Sequence, residues 1–218
     1  MNGSELAAGT VALLAALDLI GVFANAVLGG SVARQERFDP IGFGALAIVS
    51  GLGGGLVRDV LLQTGPPVAL VNPAYLAIAL AGAGLAFLLH FEHRAWRLVF
   101  PYVDALALGC WAAVGAQKAL LSGLAWLPSL LLGVVTAVGG GVIRDLAVGR
   151  RPTVFGGNTL YATCALLASG VAVAGTLIGH SQEAALLATV LGAASCLLAR
   201  RRGWMLPESV SWRSKEPT

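Results

Sequence analysis

The sequence predicts an all-α integral membrane protein of seven transmembrane helices, arranged as an inverted 3+3 repeat plus a seventh helix. Three observations predict it. Hydrophobic residues make up 57% of the 218 residues and charged residues 11%, with a mean hydropathy of +0.81, whereas soluble domains carry about 25% charged residues. Apolar runs long enough to cross hydrocarbon occur seven times. The chain is also written twice, in register, over most of its length.

A spanning helix needs about 20 apolar residues at 1.5 Å rise each. By that rule spans fall near residues 9–30, 41–62, 73–91, 98–121, 126–148, 159–179 and 184–200. The first carries Asp18 and Asn25 and lacks a basic leading region, so it reads as a retained helix and not a cleaved signal. Residues 203–218, with prolines and mixed charges, read as a cytoplasmic tail. The three cysteines, Cys110, Cys164 and Cys196, all lie in apolar stretches and suggest packing, not a disulfide framework or metal site.

Basic residues set the orientation. Arg34 and Arg37, Arg94 and Arg97, Arg150 and Arg151, and then Arg200, Arg201, Arg202, Arg213 and Lys215 all fall on one side of a seven-span chain. The positive-inside rule makes that side cytoplasmic, with the N-terminus outside and the cell membrane as the location. The net charge of +3 is thereby a topology signal, and no nucleic-acid partner is expected.

The repeat is carried by "GLGGGLVRDV", residues 51–60, and "AVGGGVIRDL", residues 137–146. A shift of 86 residues aligns Gly53 with Gly139 and, without a gap, Arg58 with Arg144 and Asp59 with Asp145. The same shift pairs Asp18 with Asp104, Gly29 with Gly115, Pro66 with Pro152, Asn72 with Asn158 and Tyr75 with Tyr161. This divides the chain into a first repeat at 9–91, a second at 98–179, the seventh helix at 184–200 and the tail. Three spans per copy is an odd number, so the second copy enters the membrane from the opposite face. Inverted repeats with helices broken near the midplane point to a transport pathway; the alternative is a duplicated bundle without a conduit.

Gly53, Gly54 and Gly55 lie near the centre of the second span, and Gly139, Gly140 and Gly141 near that of the fifth. Unwound there, the backbone would turn carbonyls toward a cation; left helical, the glycines would let neighbouring backbones approach closely. The expectation is a kink at both triplets. Ser50 and Thr136, three residues before each triplet, could bond freed carbonyls, touch an ion or bond back to their own helix.

Arg58 lies about 9 Å beyond the span centre, where an unpaired charge is costly. Neighbours at i and i+1 diverge on a helix, so Asp59 and Asp145 are not the expected partners. Two pseudo-symmetric pairs are expected instead: Asp18 with Arg58, and Asp104 with Arg144. The alternative is that both arginines snorkel to headgroups. Lys118 has no counterpart under the shift and reads either as a snorkelling residue or as a pore-facing, voltage-sensitive charge. Tyr75, Trp96, Trp111, Trp126 and Trp204 read as interfacial anchors. His90, Glu92 and His93 mark an interface, and His180 stands alone. No arrangement suggests catalysis, a cofactor or a metal.

With two three-helix units bearing "GGGLVRD" and "GGGVIRD" before a seventh helix, the chain resembles the bacterial branch of the trimeric intracellular cation (TRIC) channel family over roughly residues 9–200. The resemblance implies a homotrimer in membrane lipid, each subunit with its own pore for monovalent cations, chiefly K⁺ as the permeant ion. It also implies that the second and fifth helices are kinked at their glycine triplets and line the pore. Animal members carry a basic lipid-binding motif after the triplet, where this chain has Leu56, Val57 and Arg58, or Val142, Ile143 and Arg144. They also tie a fourth-helix lysine to voltage gating, for which Lys118 is the candidate. Some bacterial proteins with the doubled domain are described as transporters of small amino acids such as glycine, so a secondary carrier for a small zwitterion is the alternative. A third reading is a scaffold that trimerises through small-residue faces such as Gly175 and Gly179.

Overall fold

A computed structural model describes residues 3–88, 94–155 and 160–205. The described residues form α1 (Gly3–Gln35), α2 (Pro40–Leu62), α3 (Val68–Val71), α4 (Pro73–Leu88), α5 (Arg94–Leu121), α6 (Trp126–Ala147), a 3₁₀ turn at Thr153–Phe155, α7 (Tyr161–Leu177) and α8 (Ser181–Arg202), with no strand among them. Five helices, α1, α2, α5, α6 and α8, are long and apolar enough to cross a membrane. The other two expected spans are the shorter apolar helices α4 and α7, of 16 and 17 residues, about 24–26 Å at 1.5 Å per residue. Each is preceded by a short helical turn, α3 in the first repeat and Thr153–Phe155 in the second.

Local chemistry fixes the ends. Asp39 caps α2 by accepting from the Gly42 N–H at 2.7 Å, with Pro40 as its first residue. The Arg34 guanidinium donates to the carbonyls of Ala86, at 3.0 Å, and Phe87, satisfying the last turn of α4. Gly203, at φ +64°, closes α8.

In the first repeat α1 packs on α2 and α4; in the second α5 packs on α6 and α7, with α8 against both α5 and α7. The seam between repeats is α2 against α6, with α1 against α5 beside it. At its centre the backbones nearly touch: a Cβ on Gly54 would lie 2.3 Å from the Thr136 carbonyl oxygen, and one on Gly140 would lie 2.5 Å from that of Ser50. Both triplets remain α-helical. The expected unwound turns are therefore absent, and the glycines serve close approach of the two helices. Trp111, fully buried, lies against both Gly54 and Gly140. Its expected interfacial role is corrected: its indole N–H faces the Asp18 carbonyl at 3.4 Å. Gly175 packs on Ala184, and Gly179 occupies an exposed turn at φ +87°.

Two of the basic residues bond across helix ends. Arg150 of the α6–α7 connection pairs with Glu36 after α1, and Arg201 donates to the Tyr102 hydroxyl at 3.0 Å.

Candidate functional site

Two clusters of ionisable side chains flank the α2–α6 crossing, one from each repeat. In the first, Arg58 reaches from α2 to α1, where Nη1 and Nη2 donate to Oδ1 and Oδ2 of Asp18 at 3.1 and 3.0 Å. Neither residue is more than 1% exposed. The parallel fork suits both groups, and pairing is what makes a buried charge tolerable. Arg58 Nε also donates to Asp59 Oδ1 at 2.8 Å, correcting the expectation that Asp59 stands aside: Nε leaves the side chain early enough to bend back to the next residue. The second oxygen of Asp59 accepts from the Val68 N–H at 2.9 Å and so fixes the start of α3.

Asp18 is shared further. The Tyr75 hydroxyl donates to Oδ2 at 3.1 Å, and Lys118 Nζ reaches the same oxygen at 2.7 Å from the last turn of α5. Tyr75, only 4% exposed, is thus a ligand of Asp18 and not the expected interfacial anchor. Lys118, a quarter exposed, does not snorkel away.

The second cluster repeats part of this. The Tyr161 hydroxyl donates to Asp104 Oδ1 at 2.9 Å, and both tyrosine–aspartate bridges join residues 57 apart. Arg144 Nε donates to Asp145 Oδ1 at 3.1 Å, and Asp145 Oδ2 accepts from the Thr153 N–H at 3.2 Å. The expected Asp104–Arg144 pair is not formed: Asp104 Oδ2 is taken by Arg200, from the last turn of α8.

Each cluster borders a cavity. One, of about 430 Å³, is lined by Asp59, Lys118, Tyr75, Pro66, Asn72 and Ser122 among others. The second, of about 400 Å³, is lined by Asp104, Arg144, Asp145, Pro152, Tyr161 and Arg200 among others. Loops from opposite ends of the bundle form their rims, and the glycine crossing stands between them. Ser50 and Thr136 are buried there: the Ser50 hydroxyl donates to the Asn25 carbonyl at 2.9 Å, and the Thr136 hydroxyl bonds back to Leu132 at 2.7 Å.

The charged candidates are thus brought together in two groups, and the glycines, Ser50 and Thr136 form the partition. Arg200 escaped sequence reasoning because it lies outside the 86-residue register. The matched tyrosines were the signal for the aspartate ligands. Trp126 and Trp204 are exposed, whereas His90, Glu92 and His93 lie outside the described residues. Among the described residues, no group of three or more His, Cys, Asp or Glu could hold a metal.

These features define an inverted-repeat helical membrane protein with a cavity bordered by ionisable side chains at each end of the bundle. The "Glycine transporter" family model matches residues 15–91 and again residues 101–177, the same 86-residue offset. A UPF0126 membrane protein of Deinococcus radiodurans is 38% identical over 155 residues, covering 71% of this chain and 72% of the relative. Among solved structures, a TRIC trimeric intracellular cation channel orthologue from Rhodobacter sphaeroides superposes with a TM-score of 0.77 at 33% identity, covering 87% of this chain and 96% of that one. A prokaryotic TRIC channel in 0.5 M KCl gives 0.80 at 26% identity, covering 90% and 100%. The chain belongs to this doubled-domain family and is a bacterial-type member of the TRIC channel family.

Proposed function

We propose that the chain is a cation channel, a homotrimer with one pore per subunit and K⁺ as the permeant ion. All seven helices span the cell membrane, counting the shorter α4 and α7, with the arginine-rich end cytoplasmic and the N-terminus outside. The path runs between the repeats along the α2–α6 seam, from the cavity beside Lys118 to the cavity beside Arg200. The observation that carries this reading is the arrangement of those two cavities: they enter from opposite ends, each is lined or flanked by a repeat-matched aspartate and tyrosine, and one helix crossing divides them. Asp18 and Asp104 offer carboxylate oxygens toward each vestibule, and Lys118 and Arg200 occupy the oxygens that a permeating cation would use. The Asp18–Arg58 pair and the glycine contact hold the partition shut, so conduction requires α2 and α6 to part. The carrier alternative has the family model's description in its favour, but the likeness to solved cation channels favours conduction.

Reconstitution in planar bilayers and in liposomes tests this. Discrete K⁺ current steps without any organic solute are the expected outcome. Saturable uptake of labelled glycine with counterflow and no current would overturn the channel reading.

A further inference from the structure

We propose that the cavity at the arginine-rich end is a binding site for a small monocarboxylate, held by the guanidinium of Arg144. The two repeats supply the argument. Arg58 and Arg144 stand at matched positions, and each commits Nε to the carboxylate of the next residue, at 2.8 Å for Asp59 and 3.1 Å for Asp145. In the first repeat the outer edge of the guanidinium then closes on both oxygens of Asp18. The chain itself thereby displays the chemistry that satisfies this arginine: a carboxylate met fork to fork.

In the second repeat that carboxylate is missing. Asp104, the counterpart of Asp18, gives its oxygens to Tyr161 and Arg200. Arg144 keeps Asp145 alone, within 3.1 Å of Nε and Nη2, and its Nη1 has no hydrogen-bond partner among the described residues. Arg144 is only 9% exposed, yet the space beside it is a cavity of about 400 Å³ and not protein. A solute carboxylate entering there would take the place that Asp18 fills in the first repeat.

The lining restricts the class. Asp104 and Asp145 set two negative charges against the two guanidiniums of Arg144 and Arg200, so a monocarboxylate adds one negative charge to a balanced lining, which the open guanidinium edge can meet, and a dianion adds two. Val138, Val142 and Val154 line it as well, giving a short aliphatic remainder an apolar wall. Acetate has the required shape and charge; sulfate and phosphate do not.

Thermal unfolding of the purified full chain in detergent tests the site, with sodium acetate replacing sodium chloride at constant ionic strength. The expected result is a saturable rise in unfolding temperature with acetate and no saturable component with sulfate, whose exclusion from the surface raises stability without saturating. Arg144→Gln should abolish the saturable rise. Arg144→Lys, which keeps the charge but not the fork, should weaken apparent affinity about tenfold, the worth of one charge-assisted hydrogen bond. An equal acetate response in the wild type and both variants, or an equal response to sulfate, overturns the proposal. The readout involves no current, so its failure and the failure of the channel reading are separate results.

Discussion

Asp18 and Asp104 occupy matched positions in the two repeats, yet among the described residues Asp18 gathers Arg58, Lys118 and Tyr75 while Asp104 gathers Tyr161 and Arg200. The elements the clusters share are internal to a repeat: a tyrosine at the start of its last helix, an arginine–aspartate neighbour pair, and a backbone N–H capped by that aspartate. The differing elements come from outside it. Each aspartate takes a cation from the last turn of the helix that follows its repeat, Lys118 of α5 for the first and Arg200 of α8 for the second. α8 therefore gives the second repeat what α5 gives the first. A saturated cluster around a fully buried Asp18–Arg58 pair at one end and a partly open one at the other is a combination that inverted repeats permit, because each repeat supplies a different end of the bundle.

The largest expected effect breaks the saturated side. Asp18→Asn removes the forked carboxylate from a guanidinium with no solvent exposure, leaving it only the Asp59 bond at Nε, and removing one member of a buried pair costs about 3–5 kcal/mol. Asp104→Asn leaves Arg200 partly exposed and able to rehydrate, so its loss should be clearly smaller, about 1–2 kcal/mol. Reversible unfolding in mild detergent measures both. Equal losses would mean that the two clusters are energetically alike and that the open edge of Arg144 has no consequence.

The glycine crossing should by contrast behave symmetrically. A methyl on Gly54 or on Gly140 meets a carbonyl oxygen at 2.3 or 2.5 Å, inside the contact distance, and overpacking of this kind costs about 1–3 kcal/mol. Gly54→Ala and Gly140→Ala should therefore lose similar stability and, in bilayers, alter K⁺ current to a similar degree. A large loss for one and none for the other would show that the seam is not shared equally.

A further comparison separates the two capping cations. Lys118→Gln and Arg200→Gln each uncover an aspartate oxygen at a different end of the path. On the channel reading, single-channel current should rise by about a factor of two in each, the effect of removing one charge at high effective dielectric. The rectification the two variants introduce should have opposite sign, because the sites face opposite sides. Rectification of the same sign would place both residues on one side of the barrier.

How much of this was legible in the sequence follows from where each interaction is encoded. Composition and the doubled motif carried the all-helical membrane class, the 86-residue offset and the Asp18–Arg58 pair, because hydropathy and register are written locally and twice. The fate of the glycine triplets was not legible: opening or close approach depends on what lies opposite, and only the fold sets Gly54 against Thr136. Arg144 missed its expected partner for a similar reason, since Arg200 sits in α8, outside the repeat register. Trp111 and Tyr75 were misplaced because position along a span was taken for depth, while both side chains turn inward to Asp18.

The smallest expected effect asks how much each tyrosine matters to its aspartate. Tyr75→Phe removes one of four hydrogen bonds that reach Asp18, leaving the Arg58 fork and Lys118 in place. Tyr161→Phe removes one of the two that reach Asp104 among the described residues, leaving the Arg200 bond. A neutral donor to a charged acceptor contributes about 1.5–3 kcal/mol when little else compensates, and low dielectric strengthens whichever bonds remain. Tyr75→Phe should therefore cost less than Tyr161→Phe, by about 1 kcal/mol, measured as the difference between the two unfolding curves. The reverse order would mean that Asp18 depends on its hydroxyl donor despite the arginine, and the saturated cluster would then have to be held by geometry more than by charge.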